Sequence, residues 1–180
     1  MCKWIEYIKS QGDNPYLWNT GHHYSDWLGL DAPYGSYRGS TATDLIATAY
    51  YAYSTSIVVK AGKVLGYDTT EYEELYRKIR EAFQDTFIKD GKHISDTQTA
   101  YALTIYFDLT DDIPQMGKRL RQLIEENGYK LKTGFLGTPY LLPALSKAGY
   151  HETAYSLLLQ EEFPSWLYSV NQDATTIWEH

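Results

Sequence analysis

Apolar positions along the chain recur at helical spacings of three and four residues, and no segment shows convincing strand alternation. The stretch 40–65 carries Leu45, Ile46, Ala49, Tyr50, Tyr53, Ile57, Val58, Ala61 and Val64. Apolar or small side chains cover much of its circumference, which predicts a buried helix, and Gly66 supplies a C-terminal stop. Thr70 and Glu73 then form a capping-box pattern at the head of a helix over 70–87. Here Tyr72, Leu75, Tyr76, Ile79, Phe83 and Phe87 keep to one stripe, opposite Glu74, Arg77, Lys78, Arg80 and Glu81. This helix is predicted to lie outside the first. The alternation repeats: 96–107 is small and apolar, whereas 114–127 is charged around a stripe of Met116, Leu120, Leu123 and Ile124 and closes at Gly128. Segment 137–146 is apolar again, with Pro143 expected to kink or shorten it. Segment 151–160 is amphipathic, and 164–170 opens a further apolar stretch.

A weak internal repeat accompanies this order. Gly66, Tyr67, Thr70, Tyr72 and Leu75 recur at one constant offset as Gly149, Tyr150, Thr153, Tyr155 and Leu158, each time where an inner helix hands over to an outer one. Repeated helical hairpins build either open solenoids or closed rings, and periodicity alone allows both. The loops differ in kind. Residues 12–39 lack helical period and are rich in Gly, Tyr, Trp, Asp and Pro, and an irregular stretch of that length inside a compact domain is usually functional. Three Thr-rich segments, 95–99, 133–138 and 173–179, lead into inner helices from one end, where their hydroxyls can cap helices or line a pocket.

Composition narrows the function. With 180 residues the chain can bury a core without disulfides or metal, and its single Cys2 excludes an internal bridge. No Cys/His cluster has zinc-ligand spacing, and the adjacent His22 and His23 read as a solvent-facing loop pair, so neither a metal nor a cofactor is expected. The net charge of −7, without a Lys/Arg run, argues against nucleic-acid and anionic-membrane partners, and the apolar stretches are too short to span a bilayer. The first residues lack the apolar core of a secretory signal; with the chain read as a piece of a longer one, a cytoplasmic and an exported parent both fit. Eighteen Tyr and five Trp exceed the needs of an aliphatic core. Such side chains suit grooves that hold wet, partly apolar ligands such as sugars, although many Tyr simply pack between helices.

The ordered segments SDWL (25–28), DTQTA (96–100), TGFLGT (133–138), PSWLY (164–168) and ATTIWE (174–179) resemble the second part of the catalytic domain of glycoside hydrolase family 78, the α-L-rhamnosidases. The resemblance covers essentially the whole chain, and TGFLGT, PSWLY and ATTIWE together carry most of its specificity. It implies an all-α fold, helical hairpins forming part of an (α/α)6 toroid over 1–180. It also implies hydrolysis of terminal α-L-rhamnose with inversion of configuration by two carboxyl groups, one protonating the leaving oxygen and one activating water. By the same resemblance Glu179 corresponds to the catalytic base, Trp27 to a tryptophan that flanks the rhamnose ring, and Asp26 to a substrate-binding or loop-orienting neighbour. Trp178 is expected as a second pocket wall rather than a packed core residue; of Trp166 and Tyr168, one is expected to pack in the core. The family's Gly before the Asp-Trp pair is Ser25 here. The segment bearing the general acid has no match in 1–180, and the family pattern continues beyond Glu179. The chain is therefore expected to be a fragment, inactive alone, with Met1 and His180 candidates for introduced residues. Its partners would be a rhamnoside substrate, the rest of the parent domain and, through uncovered apolar surface, further copies of itself. Two other readings are a different helical-toroid glycosidase and a non-catalytic helical-repeat binding scaffold.

Overall fold

The computed structural model describes residues 1–178; Glu179 and His180 lie outside the described residues. Helix α1 (Cys2–Lys9) is followed by the irregular stretch, then α2 (Thr43–Val64) and α3 (Thr70–Phe87). A small hairpin of β1 (Ile88–Lys89) and β2 (Lys92–His93) precedes α4 (Gln98–Tyr106), α5 (Ile113–Glu126), α6 (Thr138–Lys147), α7 (His151–Leu158) and α8 (Trp166–Asn171). Helix α2 packs on α3 and α4, α4 on α5 and α6, and α6 on α7. Thus α2, α4 and α6 form an inner row, with α3, α5 and α7 behind it, as the alternation of apolar and charged segments predicts. No helix among the described residues is long and apolar enough to cross a membrane.

Burial follows the same order. Every residue of α4 from Gln98 to Ile105 is buried, while α3 buries only Leu75, Ile79, Phe83 and Phe87, one side chain per turn. One core joins α1, α2, α3 and α4 around Tyr51, Ile79 and Phe83; a second joins α4 to α7 around Tyr101, Leu120 and Leu145. The expectation that 40–65 is buried throughout needs correction. Helix α2 buries nothing after Ser56, and Val64 and Leu65 stand 87% and 68% exposed, because the helix outruns the elements packed against it. A second apolar flank, with Tyr155, Leu159 and Phe163 each at least 61% exposed, lies on α7 and the segment after it.

The helix ends explain the internal repeat. Gly66, Asp108, Gly128, Gly149 and Asp173 all adopt φ between 58° and 86°, following α2, α4, α5, α6 and α8. In each case the next N–H donates back five residues: Tyr67 to Gly62, Leu109 to Thr104, Tyr129 to Ile124 and Tyr150 to Leu145 at 2.9 Å, and Ala174 to Ser169 at 3.1 Å. This closure satisfies carbonyls that the helix leaves unpaired and turns the chain toward the next element. The Gly-Tyr pairs of the repeat are two of its five occurrences, and Asp serves in place of Gly at two others.

Three local readings change. The Thr70–Glu73 capping box does not form: Asp68 accepts from Thr70 N at 2.9 Å, and the N-cap is Thr69, whose hydroxyl donates to Glu73 at 2.7 Å. The two Thr70 donors hold the Asp68 carboxyl below the usual carboxylate range. Pro143 does not shorten α6, which runs through it to Lys147. The β1–β2 hairpin was not expected; Asp90 (φ 49°) and Gly91 (φ 72°) form its two-residue turn, a pairing with a recognised sequence signature.

Candidate functional site

The irregular stretch, the start of α4 and the segment before α6 meet at one residue. The Asp26 carboxylate, 1% exposed, accepts from Gly134 N at 2.8 Å, Leu136 N at 2.7 Å, Gly137 N at 3.0 Å and Thr99 Oγ1 at 2.5 Å. Its main-chain oxygen accepts from Gly39 N at 2.9 Å and Gly29 N at 3.2 Å. Asp26 therefore faces the protein, and of its two expected roles the geometry fits the loop-orienting one. A buried carboxylate is tolerated where donors surround it in this way.

Around Asp26 the backbone is wound tightly. Ser25 (φ 61°) and Leu28 (φ 54°) flank the Asp26–Trp27 pair in left-handed conformations, each costing about 1–2 kcal/mol. The Ser25 geometry is one that glycine adopts freely, which accounts for the glycine of the family pattern at that place. A Cβ on Gly134 would lie 2.3 Å from Trp27 O, and one on Gly137 would lie 2.4 Å from Thr99 Oγ1. Both glycines of the 133–138 segment are thus required by close approach to the Asp26 loop. Phe135 N donates to Trp27 O at 2.9 Å and completes the junction.

Several threonines of these segments are held by hydrogen bonds. Thr41 and Thr97 hydroxyls lie 2.6 Å apart, as do those of Thr133 and Thr138 at 2.7 Å, and Thr97 Oγ1 caps α4 by accepting from Ala100 N at 3.2 Å. Thr133 and Thr138, with Thr175 and Thr176, also line the groove beside this junction.

Beside this junction lies a groove of about 900 Å3, large enough for a sugar and part of its aglycone. Leu28, Leu30, Phe135, Tyr168 and Trp178 contribute to its walls, with Thr133, Ser165 and further Thr and Ser side chains supplying hydroxyls. Trp178 is 46% exposed and is among the lining residues of this groove. Trp166 packs against the second core and Tyr168 meets Phe163 at 5.3 Å, so one of that pair does serve packing. Trp27 is half-buried, and its neighbours Leu28 and Leu30, rather than the indole, line this groove. The indole sits instead between Tyr24 at 5.8 Å and Tyr37 at 5.5 Å. No side chain among the described lining residues is a carboxylate. Glu179, which follows Trp178 in sequence, lies outside the described residues.

The sequence reading did not single out Arg38 or Gly39. Arg38 pairs with Trp27 in an antiparallel bridge, and Gly39 approaches Gly29 so closely that a Cβ on Gly29 would fall 2.5 Å from Gly39 Cα. The glycine spacing within 29–39 was the available signal for this fold-back.

The chain is similar to known proteins over its whole length. The model of the bacterial alpha-L-rhamnosidase six-hairpin glycosidase domain matches residues 1–180. The chain is 40% identical over 179 residues to an alpha-L-rhamnosidase of Streptomyces avermitilis, covering 98% of this chain and 16% of that protein. It is 37% identical over 185 residues to one of Formosa agariphila, covering 99% and 20%. Among solved structures it resembles the S. avermitilis alpha-L-rhamnosidase complexed with L-rhamnose (TM-score 0.89, 38% identity, 98% of this chain and 17% of that one). It also resembles the native enzyme of Aspergillus terreus (TM-score 0.90, 34% identity, 98% and 22%). The chain spans between 16% and 20% of the length of these curated relatives. It belongs to the bacterial α-L-rhamnosidase six-hairpin glycosidase domain family, and its hairpins are part of an (α/α)6 toroid.

Proposed function

We propose that residues 1–180 supply one part of the catalytic domain of an inverting α-L-rhamnosidase, which hydrolyses terminal α-L-rhamnose from glycosides. The observation that carries this reading is the aromatic-walled groove at the mouth of the inner helices, whose lining includes Trp178, the residue before the carboxylate Glu179 in sequence. An inverting glycosidase needs two, on opposite faces of the sugar. In this reading Glu179 is the base: it takes a proton from a water molecule as that water's oxygen attacks the anomeric carbon. An acid from the parent chain protonates the leaving oxygen on the other face. The adjacent Trp178 gives Glu179 an apolar neighbour, while Trp27 flanks the sugar from the loop that Asp26 fastens. The likeness to a relative solved with L-rhamnose supports the sugar assignment.

The test is turnover of an aryl α-L-rhamnoside by the complete parent enzyme, by its Glu179→Gln variant and by residues 1–180 alone. The parent should be active, and both other proteins should fall by about 10²–10⁴-fold, the usual contribution of a positioned acid or base. Robust turnover by 1–180 would mean that both carboxyl groups reside within it. Full activity of Glu179→Gln would remove Glu179 from the mechanism.

A further inference from the structure

The loop around Trp27 carries Arg38, which forms no ion pair with a carboxylate among the described residues. Arg77, Arg80, Arg119 and Arg121 each hold a carboxylate at 2.7 Å or less. Arg38 alone among the described arginines holds none, in a chain whose net charge is −7. Its guanidinium nitrogen Nη2 lies 2.7 Å from Nε2 of His22. A guanidinium has no lone pair to offer, so Nη2 donates and Nε2 accepts, which puts the imidazole proton on Nδ1. The ring braces the fork without cancelling its charge, and the remaining N–H donors stay available.

The position of this charge is specific. Trp27 and Arg38 oppose one another in the isolated antiparallel bridge, so their side chains rise from the same face. Tyr37 and Tyr24 flank the indole at 5.5 Å and 5.8 Å, and the Tyr24 ring lies 5.1 Å from His22. Indole, phenols, imidazole and guanidinium thus form one continuous surface. Exposure increases along it, from the half-buried Trp27 to Tyr37 at 59% and Tyr24 at 66%. Aromatic faces suit the C–H faces of pyranose rings, and a guanidinium fork matches a planar oxyanion.

We propose that Arg38, braced by His22, binds the carboxylate of a uronic acid joined to the sugar that Trp27 flanks. The inference rests on the rhamnosidase reading and adds the chemical class of the neighbouring sugar. A sulfate ester on that sugar would present related oxyanion chemistry, so the experiment separates the two.

In the complete parent enzyme, kcat/KM is measured for three rhamnosyl disaccharides of one linkage, with glucose, glucuronic acid or sulfated glucose as the second sugar. The wild type should prefer the glucuronate to the glucose disaccharide. In Arg38→Gln that ratio should fall by roughly 3- to 10-fold, the scale of a partly exposed charge-assisted contact. Arg38→Lys should retain part of the preference, and added salt should shrink it. Arg121→Gln, which removes the same charge from α5, should keep the ratio, separating local contact from net charge. Because each ratio is taken within one protein, partial misfolding of a variant cancels. An unchanged ratio in Arg38→Gln, or a preference confined to the sulfated sugar, overturns the proposal. Failure of the wild type to cleave the glucose disaccharide and an aryl rhamnoside alike refutes the rhamnosidase reading itself, and the inference with it.

Discussion

Replacing Asp26 by Ala should lower the stability of the chain by about 3–5 kcal/mol, the range for removing one partner from a buried, charged network. The loss arises less from the absent carboxylate than from what it leaves behind. The N–H groups of Gly134, Leu136 and Gly137 and the Thr99 hydroxyl would all lose their acceptor in a site with little room for water. An unpaired buried donor costs about 1–3 kcal/mol, and partial relaxation keeps the sum below the simple total. For a chain of this size each kcal/mol moves the melting temperature by about 2–4 °C, so the midpoint should drop by on the order of 10 °C. Asp26→Asn should be nearly as damaging, because one amide N–H₂ would then face backbone donors. Thermal unfolding followed by circular dichroism checks this. A shift below about 2 °C would mean that the loop is fastened elsewhere.

Stability should also fall steeply between pH 6.5 and pH 4, through His93. The side chain is 5% exposed, its Nε2 lies 2.8 Å from Thr104 Oγ1, and its Nδ1 has no hydrogen-bond partner. Burial pushes its pKa down to about 4; the Phe87 carbonyl and Asp96 oppose this without offsetting it. The unfolded chain, with an imidazole near 6.5, binds the proton first as the pH drops. The native state is therefore fully favoured above about 6.5 and loses ground down to about 4, where both states are protonated. At about 1.36 kcal/mol per pKa unit the loss approaches roughly 3 kcal/mol. Denaturant unfolding at stepped pH, for the wild type and His93→Gln, isolates this contribution from that of the carboxylates. Parallel pH profiles would exclude His93 as the source.

The helical framework was legible because it rests on periodicity. The stripe of α3 and the uniformly apolar α4 are written in their residues, and their burial follows. Helix α1 escaped notice, although Ile5 and Ile8 have the spacing of a buried face, because eight residues give a periodic signal too short to separate from the loop behind it. The hairpin escaped for a similar reason: two-residue strands cannot alternate long enough to register, and only the Asp90–Gly91 pair marks it. The capping register at α3 slipped by one residue because Asp68, Thr69 and Thr70 are all competent caps and tertiary packing selects among them. At the candidate site, the aromatic walls were visible in composition, and loop orientation was one of two roles expected of Asp26, but its partners were not visible. Its backbone donors lie 108 to 111 residues away along the chain and the Thr99 hydroxyl 73, and nothing local announces them. Sequence shows that a residue can accept hydrogen bonds; only the fold shows which donors arrive.

The distribution of tryptophan gives the molecule built-in optical reporters. Trp4 lies on α1, Trp18 and Trp27 in the irregular stretch, Trp166 on α8 and Trp178 beside it, whereas α2 through α7 contain none. Indole emission therefore observes the mouth and the two flanks, while far-ultraviolet ellipticity observes the hairpins. Two-state unfolding requires that the two signals coincide. If the loop fastened by Asp26 opens before the helices melt, emission will shift at lower denaturant than ellipticity, and the gap between the midpoints will measure how independently the mouth can open.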